Sequence, residues 1–353
     1  MNNKYSINHR KYTKDEIIIL AESQSKRLDT PEWERDLYAF ITDWFSPTEY
    51  MAIHTSGSTG IPKEILISKT KMIGSAARTL RYFDVKPNEN ILLCLPVTYI
   101  AGMMMVVRAF TGSLNLITLP PQQMQLSNIK EELGFAAFVP LQMDKLLNEG
   151  QNLGFMRKII LGGSPVSAVL EDKIRTSFTG QIWETYGMTE TITHVAVRKI
   201  KDDVRIFFAL PGISFSEDDR GCLVIDDPYL LDSPLHTNDN VELLSPTSFR
   251  LLGRMDHVIN SGGIKVIPEK LESLMSPYVQ GHFCITSLPD EVLGEMIVLV
   301  VEKGTDMLRI MQGIDTLKTY HKPKKVFELD QIPINQHGKI DVREVKQIIN
   351  KLV

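Results

Sequence analysis

The sequence predicts an α/β protein with a large layered N-terminal domain followed by a small α+β domain. Over its first half, apolar segments of strand length alternate with amphipathic segments of helical period. After Thr191, short strand-like segments separated by turn residues replace this alternation. The length of 353 residues is typical of about two domains. We therefore predict a large domain over 1–252, rich in strands over 192–252, then a hinge over 253–256 and a small mobile domain over 257–353.

In the large domain, each element follows from the spacing of apolar residues. Residues 12–45 are predicted to be helical, with TKDE at 13–16 as a capping box at the start. The apolar segment 91–96 is typical of a strand buried on both faces. The other strands are predicted at 51–54, 64–68, 114–118, 135–139 and 157–161, and the other helices at 70–84, 101–112 and 141–148.

Beyond Thr191, the strands are predicted to be short and the helices few. The predicted strands of the β-rich part are 194–200, 205–209, 221–225, 241–244 and 249–252. The predicted elements of the small domain are helices at 268–275, 305–318 and 341–351 and strands at 282–287 and 295–302.

Composition and charge exclude several classes of protein. The hydrophobic content of 43% is too high for a disordered chain. A net charge of −4 gives no basic field for nucleic acid. Cys94, Cys222 and Cys284 lie far apart, which argues against a disulfide scaffold or a cysteine zinc site. No apolar segment has the length of a secretory signal or a membrane span, so we expect a cytoplasmic protein without membrane insertion.

Residues 55–63, TSGSTGIPK, have the composition of an anion-binding loop. Glycines and small hydroxyl residues let backbone N–H groups surround an anion, and Lys63 adds positive charge. The segment is not a Walker A loop, because Pro62 precedes the lysine and Glu64 follows it. A flexible serine–glycine turn is the alternative. The candidate phosphate-binding residues are Thr55, Ser56, Gly57, Ser58, Thr59, Gly60 and Lys63.

This loop resembles the phosphate-binding loop of the adenylate-forming superfamily, which contains acyl- and aryl-CoA synthetases, luciferases and peptide-synthetase adenylation domains. Further segments resemble the other motifs of that superfamily in their order, over about residues 50–345. They are GGSP (162–165), WETYGMTET (183–191), HTND (236–239, with Asn238 in place of glycine), GRMD (253–256), SGG (261–263), PE (268–269) and PINQHGKID (333–341). The resemblance implies an enzyme that uses ATP, Mg²⁺ and coenzyme A.

The resemblance also implies roles for single residues, and each of them has a structural alternative. Lys339 would bridge the carboxylate and the α-phosphate, since two anions must meet there, but it could be a surface lysine. Glu190 would hold Mg²⁺ and Thr189 would contact phosphate, whereas a glutamate also suits a helix N-terminus. Asp239 would accept ribose hydroxyls or form an Asx turn, and Tyr186 would stack on adenine or be half-buried. The remaining nucleotide-binding candidates are Gly163, Ser164, Pro165, Glu184, Thr185, Gly187 and Arg254.

Members of the superfamily catalyse adenylation and then thiol attack, and the small domain rotates between the two steps. Asp256 occupies the matching hinge position. Gly262 and Gly263 lack Cβ atoms, which would let the backbone approach the pantetheine of coenzyme A.

The acid pocket is predicted from LPVTYIAG (95–102) followed by Arg108. This stretch resembles Leu-Pro-x-x-His-Ile-Ser-Gly of the 2-succinylbenzoate–CoA ligases, with an arginine nine residues after the histidine; here Tyr99 replaces the histidine. An arginine in an apolar helix calls for a partner, which is either a substrate carboxylate or an acidic residue of the fold. The candidate acid-pocket residues are Tyr99, Gly102, Arg108 and His194, the last with a core position as its alternative.

The resulting hypothesis is an ATP-dependent acid–CoA ligase that forms an acyl-adenylate, most like the 2-succinylbenzoate–CoA ligases of menaquinone biosynthesis. The alternatives are a ligase for another aryl or acyl acid, or an adenylation enzyme that loads a carrier protein. An inactive nucleotide-binding protein is disfavoured, because Glu190 and Lys339 are both present. Only 54 residues precede the phosphate loop, so we expect an N-terminally trimmed fold, with a homodimer as a further expectation.

Overall fold

The computed structural model describes residues 5–55, 63–122, 124–202, 204–334 and 340–352. Their helices are α1 (Lys14–Gln24), α2 (Glu32–Phe45), α3 (Lys69–Tyr82), α4 (Ile100–Gly112), α5 (Pro140–Asn148), α6 (Ala168–Ser177), α7 (Pro268–Met275), α8 (Met307–Thr316) and α9 (Val342–Asn350). Their strands in the first half are β1 (Tyr5–Ile7), β2 (Arg10–Tyr12), β3 (Tyr50–Thr55), β4 (Lys63–Ser68), β5 (Asn90–Leu93), β6 (Asn115–Thr118), β7 (Phe135–Phe138), β8 (Lys158–Leu161) and β9 (Gln181–Gly187). The later strands are β10 (His194–Lys199), β11 (Phe207–Ala209), β12 (Ser214–Glu217), β13 (Cys222–Asp226), β14 (Leu235–Ser245), β15 (Ser248–Arg254), β16 (Ile259–Ser261), β17 (Ile264–Val266), β18 (Phe283–Asp290), β19 (Gly294–Glu302) and β20 (Lys325–Leu329).

One long sheet organises the first two thirds of the chain. Its strand order within the described ranges is β12-β13-β14-β15-β11-β10-β9-β8-β7-β5-β6-β1-β2. The run from β9 to β1 is parallel, whereas the strands from β10 to β12 pair antiparallel. Successive residues of β5 face opposite sides, and Leu92 packs with the α5 and α6 side while Ile91 and Leu93 join the α3 and α4 side. The predicted α/β layering is therefore confirmed.

A second sheet forms the C-terminal third, in the order β17-β16-β19-β18 with β20 parallel to β19. Helices α7 and α8 cover one face through residues such as Leu271 and Ile310. Helix α9 covers the other face through Val345 and Ile349. The long sheet ends at Arg254 and the second begins at Ile259, beside the predicted hinge, while rotation there stays a prediction.

The predicted helix over 12–45 is wrong as one element. Thr13 does form the expected capping box with Glu16. The first helix ends at Gln24, and α2 begins only after Pro31, which cannot donate a backbone hydrogen bond and disfavours helix in the residue before it. The first residue of the predicted helix, Tyr12, instead ends β2. In the part of the chain that the structure describes, no helix is both long and apolar enough to span a bilayer.

Candidate active site

Three of the predicted site segments follow strands of the parallel part of the long sheet. The acid segment 95–102 comes after β5, the GGSP loop comes after β8, and the TET turn (residues 189–191) comes after β9. Strands β5, β7, β8 and β9 pair in parallel in that order. Because their carboxyl ends share one edge, the three segments gather at the edge where open α/β sheets bind ligands.

Glu184 supports the GGSP loop from inside the protein. Its Oε1 accepts the backbone N–H of Val166 at 2.8 Å, and its Oε2 pairs with the Arg198 guanidinium. Arg198 is 2% exposed and also donates to Glu171 at 3.0 Å. Burial raises the pKa of Glu184 in spite of Arg198. Both carboxylate oxygens thus have protein partners, and direct nucleotide contact by Glu184 stays a prediction.

Four residues from three motifs form one polar chain toward the predicted hinge. The Tyr186 hydroxyl donates to Asp239 Oδ2 at 2.5 Å, and Arg254 Nη1 donates to Asp239 Oδ1 at 3.2 Å. Arg254 also donates through Nε and Nη2 to the two oxygens of Asp256, both at 2.9 Å. Asp239 is held in turn by its own backbone N–H, which donates to Thr237 Oγ1 at 3.0 Å. The tyrosine and carboxylate of the nucleotide motifs are therefore linked to the residue at the hinge position.

The ring of Tyr186 belongs to an aromatic cluster. Its centroid lies 5.1 Å from that of Phe249 and 5.9 Å from that of Phe207. Tyr186 is 8% exposed, and burial raises the pKa of its phenol. Tyr186 is thus buried more deeply than the half-buried alternative assumed. Its stacking on adenine stays a prediction.

The TET turn leads into a strained backbone position. The Met188 N–H donates to Thr191 Oγ1 at 3.0 Å, and Glu190 is exposed. Ile192 has φ +67° and ψ −51°, and the Thr193 N–H donates to Thr191 O at 2.7 Å across it. This is a γ-turn, which is strained for a β-branched residue. A Cβ on Gly187 would lie 2.5 Å from Thr193 O, so this approach requires glycine at 187.

Arg108 is buried, and none of the described residues gives it a carboxylate partner. It is 2% exposed, and Nη2 donates to Thr193 Oγ1 at 2.7 Å while Nη1 lies 3.5 Å from Met105 Sδ. Within the described ranges, its Nε has no hydrogen-bond partner, and no acidic side chain pairs with the guanidinium. Burial lowers the pKa of Arg108 to about 9. The internal salt bridge considered as one alternative is thus not seen in the described residues.

His194 lies beside this arginine. Its Nδ1 is 3.2 Å from Thr193 Oγ1, and its Nε2 is 3.4 Å from Thr79 Oγ1. Burial, with Arg108 and Arg78 as nearby cations, holds the pKa of His194 well below its usual value. The imidazole is therefore neutral at pH 7 and close to the predicted acid pocket.

The acid segment has structural requirements of its own. Tyr99 is the N-cap residue of α4, and a Cβ on Gly102 would lie 2.2 Å from Pro96 O. Gly102 thus lets the first turn of α4 pack on the loop that enters it. A cleft of about 190 Å³ opens beside this segment and is lined by Asp36, Ala39, Phe40, Asp43, Met51, Ala52, Val97, Thr98 and Met103.

The predicted phosphate-loop, lysine and coenzyme A residues lie partly inside and partly outside the described structure. Ser56, Gly57, Ser58, Thr59, Gly60 and Lys339 lie outside the described residues. Thr55 and Lys63 pair across β3 and β4, which brings the two ends of the phosphate loop together. Gly262 and Gly263 form the two-residue turn of the β16–β17 hairpin with φ +59° and +80°, so backbone conformation explains both, and a coenzyme A tunnel stays a prediction.

A magnesium site would need few protein ligands here. Among the described residues, no group of three or more His, Cys, Asp or Glu side chains could hold a metal ion. Mg²⁺ in nucleotide enzymes commonly binds one or two carboxylates beside the phosphates. The exposed carboxylate of Glu190 at the sheet edge fits that requirement.

The fold and this sheet edge define a class of protein. Residues 6–214, more than half of the chain, match the family model of AMP-binding enzymes. The chain therefore belongs to the AMP-binding enzyme family. Within that family it falls into the class of AMP-forming acid–CoA ligases, and the predicted adenylate-forming fold is confirmed.

Three similar proteins show how far the likeness of this chain extends. A 2-succinylbenzoate–CoA ligase of Bacillus mycoides is 22% identical over 354 residues, covering 89% of this chain and 73% of the relative. An acyl-CoA synthetase (AMP-forming)/AMP-acid ligase II-like protein of Dyadobacter fermentans is 30% identical, with a TM-score of 0.61, covering 94% of this chain and 98% of that one. The O-succinylbenzoate coenzyme A synthetase MenE of Bacillus subtilis, solved with ATP and magnesium, is 20% identical with a TM-score of 0.72, covering 84% of this chain and 69% of that one. This last likeness shows the fold.

Sequence reasoning missed the residues that hold the site residues in place. Thr193, Arg198 and Glu171 were not singled out, although Thr193 contacts Arg108, Arg198 pairs with Glu184, and Glu171 pairs with Arg198. A signal was present for Arg198, because it interrupts the apolar strand β10 as Arg108 interrupts α4. Thr193 had no such signal, since a threonine after a turn is common.

Proposed function

We propose that this protein activates a carboxylic acid with a second anionic group, 2-succinylbenzoate as the best candidate, and transfers the acyl group to coenzyme A through an acyl-adenylate. The observation that carries the proposal is the buried guanidinium of Arg108, which contacts a hydroxyl and a thioether but no carboxylate in the described residues. A buried cation of this kind is costly unless an anion joins it. A substrate carboxylate that reached Nε would supply that anion.

The position of Arg108 fits the acid end of an adenylating site. It is tied through Thr193 to the turn that carries Thr189 and Glu190. In the proposed reaction, Glu190 would hold Mg²⁺ beside the phosphates of ATP and Thr189 would contact phosphate. Lys339 would provide positive charge between the reacting carboxylate and the α-phosphate.

A two-carboxylate aromatic acid suits this arrangement because one carboxylate must be activated and the other recognised. The names of similar proteins support 2-succinylbenzoate in particular, since such ligases from several Bacillus strains align with most of this chain. In this role the enzyme would act in the cytoplasm, and its product would serve menaquinone biosynthesis.

The test is ATP–pyrophosphate exchange with a panel of acids, followed by a coenzyme A thioester assay. The panel includes 2-succinylbenzoate, the analogue that lacks the ring carboxylate, and plain aryl and short acyl acids. We expect exchange with 2-succinylbenzoate and thioester formation with free coenzyme A. Exchange only with acids that have a single carboxylate would refute the role of Arg108, and exchange without thioester would refute coenzyme A as the acceptor.

A further inference from the structure

Thr193 connects the buried arginine to the TET turn, and no motif or resemblance assigned it a role. Its Oγ1 accepts from Arg108 Nη2 at 2.7 Å and lies 3.2 Å from His194 Nδ1. We infer that Thr193 is a positioning residue that sets the orientation of Arg108 for the second anionic group of the acid. The inference rests on the proposed function, because it concerns recognition of that acid.

The hydrogen bonds around Thr193 run in one direction. A guanidinium can only donate, so Oγ1 of Thr193 accepts from Arg108 and its own proton is available for His194 Nδ1. His194 then carries its hydrogen on Nε2, where it faces Thr79 Oγ1, and the Thr79 hydroxyl donates to Ser75 O at 3.2 Å. The opposite tautomer would direct two donors at Thr193 and leave its proton without an acceptor among the described residues. The network therefore selects the neutral Nε2–H form of His194.

The backbone fixes Thr193 at this junction. Ile192 holds a γ-turn at φ +67°, a strained conformation that persists only where the surrounding structure imposes it. The Thr193 carbonyl lies 2.8 Å from Thr191 Oγ1, and the close approach of Gly187 holds the turn from the other side. The oxygen that receives Arg108 thus has little freedom to move.

A fixed acceptor on Nη2 determines where the rest of the guanidinium points. The Nη1 group faces the Met105 sulfur at 3.5 Å, and the unpartnered Nε is left for a ligand. Without the Thr193 hydroxyl, the guanidinium would lose its strongest described partner and could turn away from the acid. The loss should therefore fall on acids with a second carboxylate.

The kinetic test compares Thr193→Val, Thr193→Ser and Thr79→Val in ATP–pyrophosphate exchange. The substrates are 2-succinylbenzoate and the analogue without the ring carboxylate. For T193V we expect kcat/KM to fall about 10- to 100-fold for the diacid, mainly through KM, as for loss of a hydrogen bond to a charged group, and about twofold or less for the monoacid. T193S should keep the wild-type preference because it keeps the hydroxyl, and T79V should keep it because the Arg108–Thr193 contact is intact.

A second test measures the hydrogen bonds around Thr193 by NMR and needs no enzyme turnover. The ring-nitrogen chemical shifts of His194, assigned by comparison with His194→Gln, report its tautomer. We expect the Nε2–H form in the wild type and T193S, and a mixture of tautomers in T193V. If the wild type adenylates neither acid, the proposed function fails. The nitrogen chemical shifts then still test whether Thr193 sets the tautomer of His194. Unchanged acid preference in T193V, or equal losses in T193V and T193S, would overturn the inference.

Discussion

Replacing Arg108 by methionine should make the protein more stable and less able to use a diacid. The pKa of about 9 shows how strongly burial disfavours the charged side chain. Relative to an ordinary arginine, this corresponds to about 5 kcal/mol against the folded state as an upper bound. The variant also loses the hydrogen bond to Thr193, which contributes about 1.5–3 kcal/mol. The expected net result is a stabilisation of about 2 kcal/mol, since methionine fits an apolar helix position.

Catalysis should change in the opposite direction. Loss of a charge-assisted contact to the second carboxylate of about 3 kcal/mol lowers kcat/KM about 100-fold for 2-succinylbenzoate. The analogue without the ring carboxylate should be adenylated at nearly the wild-type rate. This divergence between stability and activity is typical of a residue retained for function.

The assay pairs urea unfolding of the unliganded protein with ATP–pyrophosphate exchange for both acids. Arg108→Lys is the matched control, because it keeps a positive charge but not the guanidinium geometry. A lower unfolding free energy in Arg108→Met, with equal loss of activity toward both acids, would show that Arg108 serves the fold and would refute the reasoning.

Three further predictions concern separate parts of the molecule. Lys339→Ala should cripple acyl-adenylate formation but largely spare thioester formation from preformed acyl-adenylate, and equal loss of both rates would contradict its assigned role. Gly187→Ala should destabilise the protein by about 1–3 kcal/mol in thermal unfolding and slow exchange, because its Cβ would lie 2.5 Å from Thr193 O; unchanged exchange would separate this approach from the site. The pKa of Glu272 is raised to about 7 by burial, although its Oε1 accepts the Ile285 N–H. The folded state therefore binds this proton more tightly than the unfolded state, so stability should fall from about pH 4.5 to pH 7 by about 1–3 kcal/mol from this group, and Glu272→Gln should remove that part of the pH dependence in urea titrations.

Local spacing in the sequence determined most of the elements. Helices at 101–112, 141–148 and 268–275 match α4, α5 and α7 to within one residue at each end. The strand predicted at 157–161 matches β8 to within one residue, because strands buried on both faces are continuous apolar segments. The strand predicted at 91–96 begins within one residue of β5 but extends three residues past its end at Leu93. The order of the motifs then identified the enzyme class before any contact was known.

Two strands with buried polar residues were missed or cut short by sequence prediction. Strand β9 was not predicted as a strand, and β14 was predicted only over 241–244 although it spans Leu235–Ser245. Both place polar side chains inward, Glu184 in β9 and Thr237 and Asp239 in β14, so the apolar pattern is broken. Burial there depends on partners elsewhere in the chain, such as Tyr186 for Asp239, and a local window does not contain them.

The sequence by itself determined the fold class, the enzyme family and the presence of an arginine in an apolar helix. It left open whether that arginine pairs with an acidic residue of the fold, because pairing depends on positions far apart in the chain. Only the tertiary structure brought Arg108 to Thr193, 85 positions later, and Tyr186 to Asp239, 53 positions later. The long sheet brings these residues together, because α4 follows β5 and Thr193 follows β9 in its parallel part, while Asp239 lies in its antiparallel part. The strained turn at Ile192 directly precedes the threonine that meets the guanidinium. Hydrophobic period encodes which residues are buried, whereas the partners of a buried charge are set by sheet topology and turn geometry.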